Sequence, residues 1–194
     1  MNVKNLPNLL SCLRLIAAIV FPFLFFSLYP NTVPAMILFV FAGLTDVLDG
    51  YLARRNGWVS DLGKILDPLA DKLMQAAVLL SLTVKGIIPL WITVLYLFKE
   101  LLMLSGATVV LKTAKTVVVS RWCGKLAAFV FYAAMVVLGL FGERLGAGWV
   151  LAISLTTLAA ALLALIVYLP DFFRYAGKDP DPAEKTGEHQ AESR

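Results

Sequence analysis

Long apolar runs, separated by short polar or turn-forming stretches, dominate this sequence. A helix needs about 20 apolar residues to cross a hydrocarbon core of about 30 Å. None of the runs shows the strict alternation of a transmembrane β-strand, so the pattern predicts membrane-spanning helices. The expected spans are approximately Leu13–Leu28, Ala35–Ala53, Leu66–Val84, Ile88–Leu111, Leu126–Phe141 and Trp149–Leu169.

The breaks between the runs are turn-like, as at Tyr29-Pro30-Asn31, Asn56-Gly57 and Lys85-Gly86. After Pro170 the chain becomes polar. We therefore expect an all-α membrane protein, a six-transmembrane-helix bundle whose domain covers residues 1–174, followed by a polar, disordered tail at 175–194. We expect the first run to be a retained span and not a cleaved signal peptide, because it is long and further spans follow it.

Lysine and arginine residues are distributed unequally between the two sides of this predicted bundle, and an excess of them marks the cytoplasmic side. We therefore expect a multi-pass plasma-membrane protein with both termini in the cytoplasm. One side carries only Lys85 and Arg144. The other carries Lys4, Arg14, Arg54, Arg55, Lys64, Lys112, Lys115, Arg121, Lys125 and Arg174.

Composition agrees with a location in lipid. Hydrophobic residues make up 60% of the 194 residues and charged residues only 15%, whereas soluble domains are about a quarter charged. The net charge of +4 would suit a nucleic-acid partner, but the basic residues flank apolar runs. Anionic lipid head groups explain them better, so no nucleic-acid partner is expected. The two cysteines have no metal-ligand spacing.

Four aspartates lie where the second and third spans meet the predicted cytoplasmic side. Asp46 and Asp49 are three residues apart, and Asp67 and Asp71 are four apart, so each pair shares a helix face. If the two helices are antiparallel neighbours, the four carboxylates converge at the cytoplasmic end of the bundle. An ionised carboxylate within a span costs about 2.5–3.5 kcal/mol, and neighbouring like charges add to that cost.

Hard divalent cations, which prefer oxygen ligands, would compensate these charges. Two such ions about 3.5–4 Å apart form a clamp suited to phosphoryl displacement, so we expect two divalent cations as cofactors. The alternatives are a buried salt-bridge network, to which Lys64 and Lys72 would contribute, and a proton or cation relay in a transporter. The combined spacing of the four aspartates favours the metal site.

Other residues near the aspartates suit a nucleotide diphosphate. Gly50 and Gly63 remove side chains where a pyrophosphate would approach the two helices. Arg54 lies one turn beyond Gly50 and can contact phosphate in a bidentate manner. Ser60, in the connecting loop, can donate a hydrogen bond to a phosphate oxygen.

Together these positions form the pattern D-x2-D-G-x2-A-R-x8-G-x3-D-x3-D from Asp46 to Asp71. The pattern resembles the complete signature of the CDP-alcohol phosphotransferases, and the hydrophobic profile up to about Arg174 is similar to that family. The resemblance implies a six-helix membrane fold, usually homodimeric. It also implies magnesium- or manganese-dependent transfer of a phosphatidyl or similar group from a CDP-linked donor to an alcohol, with release of CMP.

The same resemblance implies a role for each motif position. Asp46 and Asp67 would each contact both metal ions, Asp49 would complete one ion, and Asp71 would complete the other. Asp71 would also be the base that takes the proton from the acceptor hydroxyl. The residues implied to contact the CDP part of the donor are Gly50, Arg54 and Ser60.

The N-terminal stretch from Asn5 to Arg14 is similar to the start of the phosphatidylglycerophosphate synthases and of the CDP-alcohol type of cardiolipin synthase. Asn8, Ser11 and Arg14 would reach the donor from the interface. The alternative is an ordinary helix start, with Ser11 as the N-cap and Arg14 extending outward to the interface. The donor is then expected to be CDP-diacylglycerol, and glycerol 3-phosphate is the expected acceptor.

An anionic acceptor needs basic side chains, and Arg121 and Lys125 are the candidates; ordinary positive-inside topology is the alternative for the basic loop around them. Gly124-Lys125 matches a pair in the related synthases, whereas Ala127-Ala128 and Lys99-Glu100 depart from their usual residues. The acceptor therefore stays open between glycerol 3-phosphate, phosphatidylglycerol and another polar alcohol. A cation carrier or an inactive membrane interaction protein is the alternative of a different class.

Overall fold

The computed structural model describes the backbone of residues 6–56, 61–114 and 122–176, and the side chains of residues 9–46, 66–106 and 122–170. Within these residues the protein is entirely helical, as the apolar pattern predicts. The helices are α1 (Leu6–Ser27), α2 (Val33–Asn56), α3 (Asp61–Val84), α4 (Leu90–Ala114), α5 (Trp122–Phe141) and α6 (Ala147–Ala176).

Each helix coincides with one predicted apolar run, but α2 and α3 continue beyond the apolar residues. The third run was expected to begin at Leu66, whereas α3 begins at Asp61, and α2 continues to Asn56. A helix satisfies its own backbone hydrogen bonds, so it can extend past the apolar stretch into a polar environment. As a result, both halves of the aspartate motif lie on helices.

The helices run alternately up and down, so one end of the bundle collects the start of α1, the end of α2 and the start of α3. At that end Ser11 of α1 bonds to Asp67 of α3. At the opposite end, the Thr32 hydroxyl donates to the carbonyl oxygen of Gly139 at 2.7 Å. Helix α3 contacts α1, α2, α4 and α5, and α6 packs against α4 and α5. Because α3 lies at the centre of these contacts, its carboxylates lie between the other helices.

Large apolar side chains cover much of the outer surface, as expected for a protein in lipid. Ile19 and Phe23 of α1, for example, are 78% and 76% exposed. Three of the helical segments that the structure describes are long and apolar enough to cross a membrane: Leu9–Ser27, Trp122–Phe141 and Ala147–Pro170. The apolar segment of α2, Val33–Asp46, is shorter. These segments indicate a membrane protein.

The interior is built from aromatic and aliphatic side chains, among them Phe21, Phe25, Phe39 and Phe131, all fully buried. Lipid tails are as apolar as these side chains, so close packing and interhelical hydrogen bonds must hold the helices together. The ring of Phe39 on α2 stacks on that of Tyr132 on α5, with centroids 4.7 Å apart. This contact joins α2 to α5 near the end of the bundle that holds the aspartates.

Candidate active site

Two side chains of α1 connect the two halves of the aspartate motif. The Ser11 hydroxyl donates to Oδ1 of Asp67 on α3. Three residues later, on the same face of α1, Nη1 of Arg14 lies 2.6 Å from Oδ1 of Asp46 on α2. The Arg14 Nε also donates to the carbonyl oxygen of Ala42 at 3.3 Å. Helix α1 therefore holds α2 and α3 together through their carboxylates.

These contacts contradict one of the two alternatives for the N-terminal stretch. Arg14 is only 2% exposed and points into the bundle, so it does not extend outward to the interface. Ser11 is not an N-cap, because α1 already begins at Leu6. The physical reason is that the inward-turned guanidinium finds two acceptors on α2, the Asp46 carboxylate and the Ala42 carbonyl oxygen.

Asp71 is held by donors from two helices. Nε2 of Gln75, one turn later on α3, donates to Oδ2 at 2.8 Å. The hydroxyl of Tyr132, on α5, donates to Oδ1 at 3.0 Å. The hydroxyl of Tyr96, on α4, lies 3.5 Å from Oε1 of Gln75. Asp71 is therefore the endpoint of a polar network that reaches α4 and α5.

Nothing in the linear pattern singled out Gln75 or Tyr132 as site residues. Gln75 carries a recognisable signal in retrospect, because it is an amide in an apolar span, four residues after Asp71, and such residues mark functional positions. Tyr132 lies in the middle of α5, away from the ends where aromatic belts form. Its position away from the helix ends was the available sign that Tyr132 is more than an aromatic-belt residue.

Three of the four aspartates come together at one end of the bundle. Neighbouring residues of α1 contact Asp46 and Asp67, and Asp71 lies one turn after Asp67 on α3, so the three carboxylates lie at the same end of the bundle. The backbone of Asp49 lies in α2, three residues after Asp46, but its side chain is outside the described residues. The convergence of all four carboxylates, like the role of each one, stays a prediction.

The candidate donor-binding residues fall largely outside the described side chains. Gly50 and Arg54 lie in α2, Gly63 in α3 and Asn8 in α1, but only their backbone is described. Ser60, like the acceptor candidate Arg121, is outside the described residues altogether.

Lys125 lies exposed near the start of α5, with its ammonium nitrogen 5.7 Å from the centre of the Trp122 ring. The glycine before it has a packing role. A Cβ at Gly124 would lie 3.0 Å from the Tyr168 hydroxyl of α6, so the absence of a side chain lets α5 and α6 approach closely. The Gly124-Lys125 pair thus combines a close helix contact with an accessible cation.

Lys99 and Glu100 form a buried ion pair, and Lys72 adds a third charge. Glu100 forms two ion pairs. One is with Lys99 through Oε1, and the other is with Lys72, whose Nζ lies 2.6 Å from Oε2. Lys72 is 3.9 Å from Oδ2 of Asp71, so it pairs mainly with Glu100. This triad joins α3 to α4 beside the aspartates.

Replacing Glu100 with glutamine should destabilise the protein by about 3 kcal/mol, because two ammonium groups would then lie close together without a carboxylate between them. The measurement is the thermal unfolding midpoint in detergent. Glu143, exposed at the opposite end, provides the matched control, and Glu143→Gln should leave the midpoint unchanged. Equal midpoints for the two variants would show that the triad contributes no stability.

With this geometry established, the chain was compared with known proteins. The family model described as CDP-alcohol phosphatidyltransferase matches residues 4–168, most of the chain. The chain belongs to this family. It is therefore a transferase of phospholipid synthesis, and the resemblance seen in the motif from Asp46 to Asp71 is confirmed.

Several CDP-alcohol phosphatidyltransferases are similar over most of their length. A probable phosphatidylglycerophosphate synthase of Mycobacterium tuberculosis is 34% identical over 184 residues, covering 92% of this chain and 84% of the relative. A CDP-diacylglycerol–glycerol-3-phosphate 3-phosphatidyltransferase of Rickettsia bellii is 36% identical, covering 73% and 80%. A cardiolipin synthase (CMP-forming) of Streptomyces coelicolor is 32% identical, covering 79% and 72%.

CDP-alcohol phosphatidyltransferases generally depend on a divalent metal ion. The side chains gathered here suit such an ion, because Asp46, Asp67 and Asp71 supply carboxylate oxygens, the ligands that hard cations prefer. Among the side chains that the structure describes, no three acidic, histidine or cysteine groups form a metal-binding arrangement. Asp49, the fourth expected ligand, is not among them. The fit to a divalent ion therefore rests on ligand type, carboxylate oxygen, and not on a complete arrangement among the described side chains.

Proposed function

We propose that this transferase moves a phosphatidyl group from CDP-diacylglycerol to glycerol 3-phosphate, forming phosphatidylglycerophosphate and CMP. The observation that carries the proposal is the placement of Asp46, Asp67 and Asp71 at the same end of an apolar helical bundle, where α1 contacts the first two and Tyr132 contacts the third. Two relatives that cover most of the chain are named for this reaction, which supports the choice of acceptor.

In the proposed reaction, the acceptor hydroxyl oxygen forms a bond to the phosphorus that carries the lipid, and the bond from that phosphorus to CMP breaks. Asp71 accepts the hydroxyl proton. Two Mg²⁺ or Mn²⁺ ions, held by Asp46, Asp49, Asp67 and Asp71, would supply neutralisation of the negative charge on the donor pyrophosphate and the departing CMP. The residues assigned to the CDP part of the donor are Asn8, Gly50, Arg54, Ser60 and Gly63.

Lys125 is suited to the acceptor phosphate by its place on α5. It lies seven residues before Tyr132, which brings the two residues to the same helix face at a separation of about 10 Å along the axis. Tyr132 contacts Asp71, so the exposed ammonium of Lys125 lies within reach of an acceptor whose hydroxyl is at Asp71. Arg121, four residues earlier in the sequence, is assigned to the same phosphate.

Replacing Lys125 with alanine should raise the KM for glycerol 3-phosphate about tenfold, because a charge-assisted contact to phosphate is worth about 1.5–3 kcal/mol. The KM for CDP-diacylglycerol should stay within twofold of the wild-type value. Lys85→Ala, at the opposite end of the bundle, is the matched loss of one charge and should change neither constant. An unchanged KM for glycerol 3-phosphate would remove Lys125 from the acceptor site.

The proposed topology is a multi-pass plasma-membrane homodimer with both termini and the active site in the cytoplasm. The concentration of lysine and arginine at the end of the bundle that holds the aspartates supports this orientation. The membrane domain is proposed to cover residues 1–174 and to be followed by a polar tail.

A panel of acceptors tests the proposed reaction. Purified protein is supplied with CDP-diacylglycerol and Mg²⁺, together with glycerol 3-phosphate, phosphatidylglycerol or another polar alcohol. CMP release is followed, and the lipid product is identified by mass spectrometry. Turnover with glycerol 3-phosphate is expected. Turnover only with phosphatidylglycerol would favour the second candidate, which the Streptomyces coelicolor relative supports. If no acceptor leads to CMP release, the result would favour a cation carrier instead.

A further inference from the structure

Packing around its aromatic ring fixes the position of the Tyr132 hydroxyl. The ring stacks on Phe39 of α2 with an interplanar angle of 13° and meets Phe131 edge-on. Gly43 of α2 closes a third side, because a Cβ at that position would lie 2.6 Å from a ring carbon of Tyr132. A tyrosine packed in this way has one rotamer available, so its hydroxyl presents a hydrogen bond from a fixed point.

Gln75 supplies the second donor, and its amide orientation follows from its two neighbours. An ionised carboxylate can only accept hydrogen bonds, so the NH₂ group of Gln75 must face Asp71. Its oxygen then faces the Tyr96 hydroxyl, which is 3.5 Å away. Tyr96 is itself buried, and its ring stacks on Phe131 with centroids 4.9 Å apart. The amide is therefore held from both sides.

We propose that Tyr132 and Gln75 are positioning residues that orient the Asp71 carboxylate for phosphatidyl transfer. The inference rests on the proposed function, in which Asp71 is both the base and a metal ligand. One donor holds each oxygen, which fixes rotation about the bond to the carboxylate. A carboxylate has about four lone-pair sites, so the other sites stay open to a metal ion and to the acceptor hydroxyl. In this proposal both residues act through Asp71 and not on the substrate directly.

Tyr132→Phe tests the proposal, because it removes the hydroxyl and keeps the ring that packs on Phe39. Loss of a hydrogen bond to a metal-ligating carboxylate typically costs 10–100-fold in activity or metal affinity. We expect kcat to fall at least tenfold, the KM for CDP-diacylglycerol to stay within twofold, and the thermal midpoint to stay unchanged. Binding of Mn²⁺, followed by the loss of the free-ion electron paramagnetic resonance signal, should weaken about tenfold.

Matched variants separate positioning from packing. Tyr29→Phe makes the same change at the opposite end of the bundle and should leave kcat, KM and Mn²⁺ binding unchanged. Gln75→Met keeps the length of the side chain and removes the donor, so it should reproduce the effect of Tyr132→Phe, and it carries the test if Tyr132→Phe does not fold. A kcat and a Mn²⁺ affinity within twofold of the wild type in the folded variant would overturn the inference.

The outcome does not depend on the identity of the acceptor. If the wild type turns over with an alcohol other than glycerol 3-phosphate, the kcat of each variant is compared with that of the wild type on that alcohol. The inference about Tyr132 is then still decided. If no acceptor supports turnover, the proposed function fails, and Mn²⁺ affinity alone decides whether Tyr132 and Gln75 orient Asp71. An unaltered Mn²⁺ affinity in both variants would then overturn the inference as well.

Discussion

Asp71→Asn should lower the rate of CMP release by about 10³-fold or more. General base catalysis contributes about 10²–10⁴-fold, and an asparagine amide cannot accept the proton of the acceptor hydroxyl. The two carboxylate oxygens now accept hydrogen bonds from Tyr132 and Gln75, and the amide replaces one of these oxygens with an NH₂ group. The measurement is CMP release under saturating CDP-diacylglycerol, with the acceptor that the wild-type enzyme uses.

Asparagine is similar in size to aspartate, so the Asp71→Asn protein should fold and should keep part of its Mn²⁺ binding through the other carboxylates. Both properties serve as the control, measured as the thermal midpoint and by titration with Mn²⁺. An Asp71→Asn protein that turns over at close to the wild-type rate would show that another group takes the proton. The metal-ligand assignment of Asp46 and Asp67 would then be tested separately.

Arg14→Ala should destabilise the fold by about 1.5–3 kcal/mol, the usual worth of a hydrogen bond to a charged group, because the Asp46 carboxylate left behind is 42% exposed and stays hydrated. Arg14 is almost fully buried and contacts both the Asp46 carboxylate and the backbone of α2. Without it, Asp46 would face the charges of Asp67 and Asp71 with less compensation. The measurement is the thermal midpoint in detergent, together with CMP release, which should fall in parallel.

Arg14→Lys is the matched variant, because it keeps the charge and loses the planar fork of donors, so an intermediate midpoint is expected. Added Mg²⁺ should recover more stability in Arg14→Ala than in the wild type, since a divalent ion would compensate the same carboxylates. A midpoint equal to that of the wild type in the alanine variant would contradict the structural role given to Arg14. A response to Mg²⁺ equal to that of the wild type would contradict the link between Arg14 and the metal site.

Much of the fold was predictable because the bilayer imposes simple rules. Length and hydropathy locate the helices, and the six apolar runs correspond to α1 to α6. Charge spacing locates the chemistry, since Asp67 and Asp71 share a face on any helix that contains both. The start of α3 was missed by several residues, because hydropathy reports contact with lipid, whereas a helix can begin outside the apolar stretch, as α3 does at Asp61.

The sequence by itself determined the family and the transferase chemistry, and it predicted the carboxylates proposed to carry the reaction, because each of these depends on residue types at short, regular spacings. Only the tertiary structure decided that Arg14 turns inward to Asp46 and that Tyr132 reaches Asp71. Tyr132 and Asp71 are 61 residues apart in the chain. Contacts of this kind depend on how each helix is rotated against its neighbours. Side-chain packing sets that rotation, as in the stacking of Phe39 on Tyr132, and no local pattern encodes it.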